Sequence, residues 1–99
     1  MDEICSWTGA SGASYTYYIR SRGTKLAPNQ MGNYIYAKRD SEGQWMPVYI
    51  GQGDLSAHSS QEELLNLRGA THVHMHLTFT EEARLAEERD LVELYPNNS

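Results

Sequence analysis

The chain predicts an α+β domain, a small three- or four-stranded antiparallel sheet flanked by helices. Three observations lead there. Segments of alternating apolar and polar residues are separated by turn residues, which is the period-two signature of strands. Two other segments carry helix-start patterns and apolar spacing of three and four. The 99 residues allow one modest core and no second domain.

The elements follow in chain order. Residues 1–14, Gly- and Ser-rich around GASGAS, read as a mobile arm, with a single domain over 15–99. Ser14–Arg20 (SYTYYIR) alternates Tyr15, Tyr17 and Ile19 against Thr16, Tyr18 and Arg20, a half-buried strand. A loop over 21–33 is punctuated by Gly23, Pro28 and Gly32. Asn33–Lys38 and Pro47–Gly51 form a hairpin across the polar turn 39–45. Pro47 cannot donate to a ladder and belongs at a strand start or on an edge. Ser60-Gln61-Glu62-Glu63 is a capping box for a short helix over 61–67, stopped by Gly69. Thr71–Phe79 (THVHMHLTF) is a strand with Val73, Met75, Leu77 and Phe79 on one face and His72, His74 and His76 on the other.

The last segment, Glu81–Leu94 (EEARLAEERDLVEL), predicts a helix capped by Thr80 with Glu81 and Glu82 in its first turn. Its expected apolar stripe is Leu85, Leu91, Val92 and Tyr95, and Glu88 falls in the middle of it. Glu87, Asp90 and Glu93 are expected at the solvent side. A carboxylate facing a core costs several kcal/mol unless it is hydrogen-bonded, paired or metal-bound. An Arg84–Glu88 pair at i, i+4 is the ordinary compensation; a metal is the functional one.

The order of two tyrosine motifs and a helix glutamate resembles the GIY-YIG nuclease family. The first motif stands here as Tyr34-Ile35-Tyr36 (YIY for GIY), and Tyr49-Ile50-Gly51 (YIG) is intact. The block LAEERDLVELYPN looks like the family's closing helix. The resemblance spans residues 32–98, about two-thirds of the chain. It implies a metal-dependent endonuclease that hydrolyses DNA phosphodiesters with water as the nucleophile. Glu88 would hold the single Mg²⁺ or Mn²⁺, and Tyr36 or Tyr49, or a water polarised by one of them, would act as general base. Gly51 would let the backbone leave its strand close to the active surface. The family's phosphate-stabilising arginine falls on His58 in this chain, so Arg68 or Arg84 is the alternative cation. Asn98 matches the family's late asparagine by spacing.

The chemistry is consistent with those residue types. A metal neutralises the charge gathering on phosphorus, and Mg²⁺ accepts few protein carboxylates while keeping waters. A free phenol titrates near pH 10 and needs a cation beside it to serve as a base. The plain alternative for Tyr36 and Tyr49 is core packing, which strand tyrosines commonly provide.

Net charge is −5, which argues against an extended phosphate-binding surface. The charge is uneven: residues 1–40 carry five bases and three acids (+2), and residues 41–99 carry three bases and ten acids (−7). Nucleic acid should therefore meet the N-terminal half and the first hairpin, where Lys38 and Arg39 stand, with help from a homodimer or a larger partner chain. The histidine row His72, His74, His76 is expected to face solvent; a zinc site and a nucleic-acid groove are its functional alternatives. No apolar run is long enough to span a membrane. The single Cys5 and the acidic start MDEICSW suggest a cytoplasmic protein. Two classes stay open: a nuclease, and a catalytically impaired module that binds nucleic acid or protein, as His58 in the arginine slot would favour.

Overall fold

The structure is a computed structural model that describes residues 3–21, 30–55 and 69–96. Its architecture is α+β, a curled antiparallel sheet of five strands and one helix. The strands are β1 (Ile4–Thr8), β2 (Ser14–Ser21), β3 (Met31–Arg39), β4 (Trp45–Asp54) and β5 (His72–Leu77); the helix is α1 (Glu81–Leu94). Their order across the sheet is β1-β2-β5-β3-β4. The expected helix over 61–67, together with His58, Arg68 and Asn98, lies outside the described residues.

The fifth strand comes from the segment expected to be an arm. In β1, Cys5 and Trp7 point inward while Ile4, Ser6 and Thr8 face out, the same period-two pattern that marked β2. The Gly/Ser run is the connector of a β1–β2 hairpin, with Trp7 opposite Tyr15 and Thr8 opposite Ser14. Gly12 takes φ of +90°, a conformation glycine adopts without a Cβ clash. Gly9 N–H donates to Ala13 O at 2.9 Å and closes the turn.

β3 is the central strand, paired with β4 on one side and β5 on the other, and Gly32 through Ala37 are buried. Pro47 sits near the start of the edge strand β4, where the register shifts between Tyr36 and Ala37. A proline there removes no ladder bond the sheet requires.

Two apolar clusters cover the sheet, one on each side. On one side lie Tyr34, Tyr36, Val73, Met75, Leu55 and Ala70, with Tyr49 packed against them. On the other, Ile35, Ala37, Ile50, Trp7 and Tyr17 meet Leu91 of α1. Full burial of a side chain such as Ile35 or Leu91 contributes about 1.5–3 kcal/mol.

The helix has the predicted ends. Thr80 Oγ1 accepts from Ala83 N at 3.2 Å, and Tyr95 N–H closes the far end on Leu91 O at 2.8 Å. Its phase differs from expectation by one residue. The buried positions are Arg84, Glu87 and Leu91, while Leu85, Glu88, Val92 and Tyr95 are half-buried flanks. No helix among the described residues is long and apolar enough to cross a membrane.

Candidate functional site

The tyrosine motifs occupy neighbouring strands, and their registers interlock. Tyr36 pairs with Tyr49, and Tyr34 pairs with Gly51. The Tyr34 and Tyr49 rings stack with centroids 6.4 Å apart, and Tyr34 meets Tyr36 edge-on at 5.7 Å. Tyr36 is fully buried. A Cβ on Gly51 would come within 2.5 Å of the Tyr34 phenol. Gly51 thus makes room for an aromatic ring. The expectation that the backbone leaves the strand there is corrected, because β4 runs on to Asp54.

Glu88 rides on α1, whose Leu91 and Val92 join the cluster on the opposite side of the sheet from these tyrosines. The structure joins Tyr36 to Tyr49 and does not bring Glu88 into their cluster. Burial raises the Glu88 pKa above the ordinary carboxylate value. The Arg84–Glu88 pair is absent among the described residues. Arg84 is buried, and its guanidinium donates to Thr78 O at 2.8 Å and to Gln52 Oε1 at 3.2 Å. It therefore locks the helix start to β4 and the loop before it, a structural use in place of the phosphate contact expected of it. Among the described residues, no group of three or more His, Cys, Asp or Glu side chains converges as a metal site. A cation at Glu88 would take its remaining oxygens from water and substrate.

The buried carboxylate of this helix is Glu87, which the sequence assigned to solvent. It is 5% exposed and fully engaged. Tyr17 O–H donates to Oε2 at 2.5 Å, and His76 Nδ1 lies 3.0 Å from the same oxygen. With the carboxylate ionised, Nδ1 must carry a proton, which leaves Nε2 of a neutral His76 as an acceptor. Such a pair fixes the orientation of the imidazole. Burial and the Glu87 carboxylate push the Tyr17 phenol far above its ordinary pKa, so it keeps its proton and donates a hydrogen bond.

The histidine row faces the helix side, against the expectation of solvent. His74 is fully buried. Trp7 Nε1 donates to its Nδ1 at 2.9 Å, which puts the proton of the neutral ring on Nε2. That atom has no hydrogen-bond partner among the described residues, and the Trp45 ring stands edge-to-face with the imidazole at 4.7 Å. Burial holds the His74 pKa down to about 4, with His72 and Arg39 adding to the effect. His72 stacks edge-on against Trp45 at 5.0 Å and meets Thr71 Oγ1. The three histidines have separate partners and do not chelate one ion.

A second acid network ties the first hairpin to the helix. Asp90 accepts from Ser11 N–H, Ser11 O–H and Tyr15 O–H at 2.7–2.8 Å. These donors lower the Asp90 pKa, and burial with the Asp90 bond raises Tyr15 to about 12. Of the expected basic contacts, Lys38 is half-buried, and Arg39 is exposed with its guanidinium 4.1 Å from the Trp45 ring. Only the pairing of inward alternation in β2 and β5 could have pointed to Tyr17 and His76 as neighbours; their register, Tyr18 opposite Met75, completes it.

No family model, no curated protein and no solved structure matches this chain.

Proposed function

We propose that this chain is a GIY-YIG-like domain that acts on nucleic acid, as a small metal-dependent endonuclease hydrolysing DNA phosphodiesters. The observation that supports it is the interlocked register of the two motifs, with Tyr36 beside Tyr49 and Tyr34 over Gly51. The motif residues depend on one another in space, as a chance occurrence of two tripeptides would not require. Glu88 would hold Mg²⁺ or Mn²⁺; its desolvated carboxylate gains from a cation. The helix packs over β4 and β3, with its Leu91 and Val92 in the cluster on the side of the sheet away from Tyr49. His58, Arg68 and Asn98 retain their sequence-based roles in this proposal.

A second reading, favoured by the complete burial of Tyr36, is a module that keeps the fold and binds nucleic acid or protein without cutting. Plasmid nicking separates the two. Supercoiled DNA at low salt with Mg²⁺ or Mn²⁺ is expected to be nicked by the wild type and left intact by Glu88→Ala. Intact plasmid with both proteins, across metals and pH, would leave the binding module.

A further inference from the structure

The sheet curls so that its two edges approach. A cavity of about 360 Å³ lies between β1 and the β3–β4 turn, walled by Trp7, Trp45 and Tyr95 and rimmed by Cys5, Ser6 and Gln44. That volume lies within the range of small-ligand sites. Trp7 and Tyr95 stand edge-to-face at 5.8 Å and 83°, giving two perpendicular aromatic walls. Cys5 has its thiol pKa raised by burial and presents a neutral surface. The rim supplies hydrogen-bonding groups in Gln44 and Ser6.

Charge decides which planar ligand fits. The Arg39 guanidinium covers Trp45 at 4.1 Å, so a second cation over that ring would be repelled, and an anionic group beside a flat ring would be attracted. Arg39 is braced by a 2.7 Å bond to Gly43 O. Asp40 of the same turn accepts from the backbone amides of Glu42 and Gln44 at 2.8 and 2.9 Å.

We infer that this cleft is a base-stacking site for unpaired nucleic acid, with Tyr95 meeting the base and Arg39, seated on Trp45, meeting the adjoining phosphate. The inference takes its ligand class from the nucleic-acid reading proposed above and is independent of the cleavage chemistry. Stacking on aromatic side chains with a cation along the backbone is the general solution for binding single strands.

Both tryptophans of the chain border this cleft, so intrinsic fluorescence reports on it directly. Titration of the full chain with a short unpaired DNA or RNA oligonucleotide should give saturable quenching that weakens as salt rises. By anisotropy of a labelled oligonucleotide, Tyr95→Ala should bind about tenfold more weakly, the scale of losing one stacking partner, and Trp45→Ala should also weaken binding by removing the seat of Arg39. Arg39→Gln should flatten the salt dependence. Trp45 also packs on His72 and His74, so Tyr95→Ala, checked for an unchanged melting curve, is the decisive variant. Absence of quenching, or unchanged affinity in Tyr95→Ala and Arg39→Gln, would overturn the inference. Quenching by a capped extended peptide in place of the oligonucleotide would also overturn it, in favour of strand addition along β1. Run beside plasmid nicking, the test separates the two ideas. Quenching without cleavage removes the nuclease and keeps the cleft; cleavage without quenching does the reverse.

Discussion

The two sides of the sheet are built on different principles. The tyrosine side packs Tyr34, Tyr36 and Tyr49 with Val73, Met75 and Leu55, and its geometry is set by ring-on-ring contact and by the space Gly51 leaves. The helix side buries polar groups in pairs: Glu87 with Tyr17 and His76, His74 with Trp7, and Asn33 Nδ2 with Arg84 O at 2.9 Å. Losing a ring on the first side leaves a void, whereas losing a partner on the second strands a polar atom. The motif residues that suggest chemistry are on the side held by packing. The oriented hydrogen-bond donors are on the other. Residues flagged by a motif and residues held in a buried hydrogen-bonded network are therefore separate findings in this molecule.

The largest expected effect lies on the tyrosine side. Tyr36→Ala removes a fully buried ring and should destabilise the fold by about 3–5 kcal/mol, read as a fall in the urea midpoint. A small loss would break the comparison, because Tyr36 would then be free for another task.

Next comes pH, which should act through the helix side. His74 is held neutral with a pKa near 4 in the fold and returns to about 6.5 when unfolded. Between these values the unfolded state binds the proton and the native state does not. Stability should thus be complete above about pH 6.5 and fall by roughly 2–3 kcal/mol as pH drops toward 4. His74→Phe should be less stable near neutral pH, since Trp7 Nε1 loses its acceptor, and should show a flatter profile over that window, so the difference from the wild type narrows toward pH 4. An equally steep profile in the variant would assign the effect elsewhere.

Tyr17→Phe sharpens the contrast at lower amplitude. It leaves Glu87 Oε2 with His76 as its remaining donor and should cost about 1–3 kcal/mol. The loss should exceed that of Tyr49→Phe, a residue that is only half-buried. Equal losses would erase the distinction between the two sides.

Glu88→Gln should have the smallest effect on folding, within about 0.5 kcal/mol, because the side chain is half-buried and without a salt bridge among the described residues. A loss comparable to that of Tyr17→Phe would make Glu88 a structural acid and count against its role as a metal ligand.

Local signals carried much of the fold. The alternation in SYTYYIR and THVHMHLTF placed β2 and β5, and Pro47 marked an edge. Thr80 with Glu81 and Glu82 fixed the helix start. Each depends on backbone chemistry within a few residues. The first hairpin was missed because Gly and Ser mark a mobile arm and a tight connector equally well, and only pairing with β2 tells them apart. The site was less legible. Leu85, Leu91 and Val92 allow two adjacent helix phases, so the identity of the buried carboxylate depended on what the sheet offers beneath it. Glu88 would have faced apolar groups unaided, whereas Glu87 meets a phenol and an imidazole from two strands. Desolvation of a charge is tolerated only where partners converge, and those partners, Tyr17 and His76, are 70 and 11 residues from Glu87 along the chain. Sequence alone determined that a strand-rich domain would end in an acidic, capped helix, because periodicity and capping are local. Only the tertiary structure decided which acid is buried and which aromatics share a side, because both depend on register between distant strands.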